Sequence, residues 1–215
     1  MKTSYIIKGL MGVALLAAPL AEANSISLEV IANGSTVYDV TATGVASGGT
    51  LSYSATVGSW NIVVNTFTYP FPTFGTLASP DLDTSTMDAY SSTGGTLEII
   101  FSGNDYTQIG TGVLTVGGTA DNMTGIYTAY YDSGNTLGAE TTLIGSTTAI
   151  TGGSAQGNVG AEPNSLTQDI LLTAGAGGGH ASLDAELTVP DGGLTITLLG
   201  GALLGLRMFR RRLVC

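Results

Sequence analysis

Residues 25–38 read Ser-Ile-Ser-Leu-Glu-Val-Ile-Ala-Asn-Gly-Ser-Thr-Val-Tyr. Ile26, Leu28, Val30 and Ala32 occupy every second position, with Ser27, Glu29 and Ile31 between them. A period of two puts one set of side chains on one face of a β-strand. Asn33 and Gly34 both tolerate the positive φ of a type I′ turn, so the run predicts a hairpin whose second arm is residues 37–43. Gly48-Gly49 turns the chain again, and Leu51, Tyr53, Ala55 and Val57 alternate with polar residues. Gly58-Ser59 then leads into residues 60–69, and the four runs together predict an antiparallel meander.

Further strands are predicted at 96–102, 113–116, 125–131, 141–146, 166–174 and 180–189. The segment 24–188 holds 25 of the chain's 32 glycines and 45 serines and threonines, which leaves no helical heptad. Short strands at this spacing, joined by glycine-rich turns, predict an all-β fold, an antiparallel β-sandwich of jelly-roll-like form. No fixed-period repeat points to a solenoid, and the nonapeptide Ca²⁺-binding repeat is absent.

Charge divides the chain. Its six basic residues are Lys2, Lys8, Arg207, Arg210, Arg211 and Arg212, so residues 24–188 contain no Lys or Arg. Of the sixteen Asp and Glu residues only Glu22 and Asp191 lie outside that stretch, leaving fourteen inside it. A body without cations excludes the basic patch of a nucleic-acid binder. It also excludes a P-loop lysine, an arginine clamp and a Schiff-base lysine.

The ends read as addresses. Residues 1–23 have the parts of a signal peptide: basic Lys2 and Lys8, an apolar stretch at 9–20, and a cleavage site at Ala21 and Ala23 for signal peptidase. At the other end come Val189-Pro190-Asp191-Gly192-Gly193, thirteen uncharged and mostly apolar residues at 194–206, and a basic tail at 207–215. At about 1.5 Å per residue the apolar stretch spans roughly 20 Å. Including Met208 and Phe209, with arginines snorkelling, it approaches a short transmembrane helix. Arg207, Arg210, Arg211 and Arg212 then form the cytoplasmic stop. The domains are thus a signal peptide at 1–23, a sandwich at 24–188 and a sorting segment at 189–215.

That last segment resembles the PEP-CTERM sorting signals, in the variant whose core is Val-Pro-Asp, with Gly192 where serine is common. The resemblance covers residues 189–215. It implies export from a Gram-negative bacterium and an exosortase as processing partner. It also implies an inner-membrane-anchored precursor that becomes a surface or secreted protein, often alongside exopolysaccharide.

Chemistry within the body is sparse. Residues 70–95 read as a long loop carrying Asp81, Asp83 and Asp88 with Phe71, Phe74 and Tyr90. Carboxylates free of nearby cations are the donors Ca²⁺ takes, which makes Asp81, Asp83 and Asp88 the candidate metal ligands and Ca²⁺ the one candidate cofactor. The loop's aromatics equally suit sugar stacking, and a solvated acidic loop is the plain alternative. His180, the only histidine, falls in phase with Ser182, Asp184 and Glu186 along the last strand. A metal there needs ligands from a neighbouring strand, and a solvent-facing strand is again the plain alternative. The lone cysteine, Cys215, follows the arginines, so the body has no disulfide. The reading is therefore a non-enzymatic structural or adhesive body whose partners are exopolysaccharide or other surface glycans. A carbohydrate- or Ca²⁺-dependent binding module is the alternative. A secreted hydrolase is least supported, with one histidine and no Gly-x-Ser-x-Gly elbow.

Overall fold

The computed structural model describes residues 25–43, 49–68 and 80–190. Among them run twelve strands: β1 (Ser25–Ala32), β2 (Ser35–Thr43), β3 (Gly49–Val57), β4 (Trp60–Thr68), β5 (Asp81–Ser91), β6 (Gly95–Tyr106), β7 (Gly110–Asp121), β8 (Met123–Asp132), β9 (Thr142–Thr147), β10 (Gly153–Val159), β11 (Asn164–Ala174) and β12 (Gly179–Thr188). Sheet A has the order β2-β1-β6-β11-β8-β9, and sheet B the order β10-β7-β12-β5-β4-β3. Every recorded pairing is antiparallel.

From β5 onward the pairing is nested: β5 with β12, β6 with β11, β7 with β10 and β8 with β9. A long hairpin wound into two sheets gives this order, which is that of a jelly roll. Two further hairpins extend it. β1–β2 adds to β6 in sheet A, and β3–β4 adds to β5 in sheet B.

The first hairpin forms as its sequence dictates, with Asn33 at φ 51° and Gly34 at φ 76°. The expected four-strand meander does not form, because β2 and β3 lie in different sheets. The glycine run at 175–179 crosses from β11 in sheet A to β12 in sheet B. Gly178, at φ 92°, packs so tightly that a Cβ on it would collide with the Ser91 carbonyl oxygen.

The segment 70–95 is not one long loop. Its residues 81–91 form β5, an interior strand of sheet B between β12 and β4. A register shift opposite residues 184 and 66 breaks the alternation, so Leu82 and Thr84 face inward in one phase and Met87, Ala89 and Ser91 in the other. β10 was absent from the expected strands because Gly-Ser-Ala-Gln-Gly-Asn-Val carries almost no apolar signal. It needs small residues: β9 and β10 close one side of the sandwich, and a Cβ on Gly157 would collide with the Ile144 carbonyl oxygen.

The core fills the space between the sheets. Leu28 and Val30 of β1, Ile99 and Phe101 of β6, Trp60 and Ile62 of β4 and Leu187 of β12 are fully buried. Each fully buried large apolar side chain contributes roughly 1.5–3 kcal/mol. Two polar bridges cross this layer, one of them between the hydroxyls of Thr68 on β4 and Tyr106 on β6 at 3.1 Å, the other centred on Gln168. Thr84 Oγ1 donates to Gln168 Oε1 at 3.0 Å, and Gln168 Nε2 donates to the carbonyls of Leu82 at 2.9 Å and Ala185 at 3.2 Å.

Both ends of the described body meet at one end of the sandwich. The Ser25 N–H donates to Asn104 Oδ1 at 3.0 Å, near the C-terminal end of β6, while Gln108, in the β6–β7 connection, reaches the Pro190 carbonyl. The tight connections at Asn33-Gly34, Ser92–Gly94, Asn122 and Gly175–Gly178 gather at the opposite end. There Thr96 N donates to Asn33 Oδ1 at 3.1 Å and Gly175 N to the Asn122 carbonyl at 2.9 Å.

Candidate functional site

The outer face of sheet B carries the polar residues read from period two. On β12, His180, Ser182, Asp184 and Glu186 are exposed while Ala181, Leu183, Ala185 and Leu187 are buried. His180 stands opposite Tyr90 of β5 and Asp121 of β7. Its Nε2 lies 2.6 Å from Asp88 Oδ1, and both side chains are about half exposed. An ion pair this open to solvent contributes little to stability. Asp88, proposed as a metal ligand from sequence, is thus the partner of the only imidazole.

Asp81 and Asp83 fall into a different group. Asp83 is the cross-strand partner of Glu186, and Asp81 that of Thr188. Burial pushes the Asp81 carboxyl up to about 7, with the charges of Glu186 and Asp83 and a hydrogen bond to Glu186 adding to it. Burial likewise raises Asp83 to about 7, helped by the charges of Asp184 and Glu186 and a hydrogen bond to Asp184. Among the described residues there is no Lys or Arg to offset them, and these carboxyls relieve their repulsion by keeping protons. Asp81, Asp83 and Asp88 therefore do not converge, and among the described residues no set of three His, Cys, Asp or Glu side chains is arranged to hold a metal ion.

Sheet A has its own acidic patch, which sequence reasoning missed. Asp169 on β11 is pushed up to about 7 by burial and by the charges of Glu140 and Glu98. Its Oδ1 is buried without a hydrogen-bond partner. Tyr130 on β8 lies beside Glu140 and Asp169 and is raised by burial and by both charges. Ile126 and Leu143 are exposed nearby on β8 and β9. The signal that could have found this patch is non-local: Asp169 and Glu140 are far apart in sequence and meet only through the β8–β9 connection.

The sorting motif begins inside the body. Val189 is fully buried in the core, and its N–H donates to the Pro80 carbonyl at 3.1 Å. Pro190 is exposed, with its carbonyl accepting from Gln108 Nε2 at 3.5 Å. Asp191, Gly192, Gly193, the apolar stretch 194–206 and Arg207, Arg210, Arg211 and Arg212 lie outside the described residues, as do Ala21, Ala23, Phe71 and Phe74. Among the described residues no helix is long and apolar enough to cross a membrane.

Residues 188–213 match the VPDSG-CTERM motif, so the chain carries a PEP-CTERM-like sorting signal there. A signal of this kind marks an exported protein and implies processing machinery such as an exosortase. No curated protein matches the sequence. Two solved structures superpose loosely. TmCBM61 in complex with beta-1,4-galactotriose does so with a TM-score of 0.34 at 10% identity, over 60% of this chain and 86% of that one. The epithelial adhesin 9 A domain from Candida glabrata, in complex with Galb1-4GlcNAc, gives a TM-score of 0.33 at 7% identity, over 78% and 82%. Superpositions this loose carry no conclusion about ligand or activity.

Proposed function

We propose that this chain is a surface or extracellular-matrix protein of a Gram-negative bacterium, made as an inner-membrane-anchored precursor and processed by an exosortase. Its β-sandwich body serves a structural or adhesive role and not an enzymatic one. The observation that carries this reading is the sorting signal at 188–213, joined without a linker to the last strand of the body. The body fits a passive role: its one imidazole is engaged by an exposed carboxylate, and its acids are spread over two faces. The test is fractionation of the source cells with and without their exosortase. Release or surface display that depends on the enzyme supports the reading, and an unchanged distribution contradicts it.

A second reading, a glycan-binding body, is favoured by Tyr130 beside Asp169 and Glu140 on sheet A. An aromatic face with adjacent carboxylates suits a sugar, the ring stacking on its C–H face and the oxygens accepting from its hydroxyls. Glycan arrays run with and without Ca²⁺ separate the two readings, and silence in both conditions removes the second.

A further inference from the structure

We propose that the first residues of the sorting motif are built into the folded body, so that processing cuts on the C-terminal side of Pro190 and leaves Val189 in the mature domain. This rests on the reading above that the tail is processed.

The matched segment starts at Thr188, the last residue of β12. β12 is an interior strand, and Thr188 pairs with Asp81 of β5 on one side and Val113 of β7 on the other. Val189 continues that line into the core, fully buried and bonded through its N–H to Pro80. An enzyme that cuts a peptide takes several residues into its cleft in extended form and pairs with their backbone groups. At Thr188 and Val189 those groups already have partners within the sheet, and the Val189 side chain already has its pocket. Pro190 is the first motif residue that is exposed, and Gln108 holds its carbonyl only at the long distance of 3.5 Å. The geometry gives Val189 a packing role and leaves recognition to Pro190 and the residues after it.

The bond that breaks is thus the C–N bond after Pro190 or a later residue. The carbonyl carbon stays with the body and passes to the oxygen of water or the nitrogen of an amine acceptor. The tail leaves with a new N-terminal amine. Removing Val189 with the tail would instead open the core at the foot of β12.

The test uses the full chain expressed in its processing host, with the C-terminus of the exported form assigned by intact mass. The expected last residue is Pro190 or a later one, and any increment above the free acid identifies an amine acceptor. Val189→Ala is expected to lower the unfolding midpoint of the exported form by several degrees, and Val189→Ile to keep it close to the parent, with both variants still cut after Pro190. A mature chain ending at Thr188 or earlier overturns the proposal. So does a Val189→Ala variant that loses processing while its unfolding midpoint is unchanged, since Val189 would then be a recognition residue only. A full-length tail on all exported material is a different failure: it removes the processing reading itself, and the proposal with it.

Discussion

Asp83 and Glu186 face each other across the β5–β12 ladder, two carboxyls paired at a position where sheets more often place opposite charges. Their neighbours Asp81 and Asp184 are also acids, and the body between residues 24 and 188 has no Lys or Arg to offset them. Asp81 and Asp83 are raised in the fold to about 7 from an ordinary value of 3.8. Between those values the native state binds more protons than the unfolded chain, so stability is fully present below about pH 4 and falls as pH rises through 7. The unfolding midpoint should be higher at pH 5 than at pH 8. After allowance for solvent screening, the difference amounts to about 1 kcal/mol or more. Asp83→Asn should raise the midpoint at pH 8 and flatten the pH profile. Thermal melts across this range check both, and a midpoint that climbs with pH contradicts them.

Much of this arrangement was legible and some was not, for identifiable reasons. The alternation of β1 and β12 named the buried faces directly, and Asn33-Gly34 named its turn. β5 was hidden because its bulge shifts the phase midway, and because Thr84 faces inward to meet Gln168 in the other sheet. The His180–Asp88 pair joins residues 92 apart, a consequence of nested pairing that local pattern does not carry. Pro190 reads as a strand stop, yet Val189 just before it still packs and pairs as part of the body.

Gln168 is a polar pin between the sheets. Replacing it by Ala leaves the buried Thr84 hydroxyl and the Leu82 and Ala185 carbonyls short of a partner, and opens a void. The expected cost is about 2–4 kcal/mol, read by chemical denaturation.

The seam at β9 and β10 should tolerate no side chain at Gly157. In Gly157→Ala the new Cβ meets the Ile144 carbonyl oxygen, backbone against backbone, so the edge strand must shift. A loss of about 1–3 kcal/mol is expected, with hydrogen exchange accelerated in β10 before the rest of sheet B.

His180 should be dispensable for folding. Its contact with Asp88 is short but about half exposed, and His180→Gln should change stability by no more than about 0.5 kcal/mol. The same variant bears on enzymatic readings: any hydrolytic activity of the exported protein that survives it does not use an imidazole.

The central claim is that the exported protein has left its sorting tail behind, and the distribution of basic residues makes that directly measurable. Lys and Arg occur only at positions 2, 8, 207, 210, 211 and 212. Exported protein that has lost both ends therefore offers trypsin no site, even when denatured. Its intact mass should be identical before and after complete digestion. A drop in mass to a fragment ending at Arg207 would show that the tail had been kept, and would contradict the account.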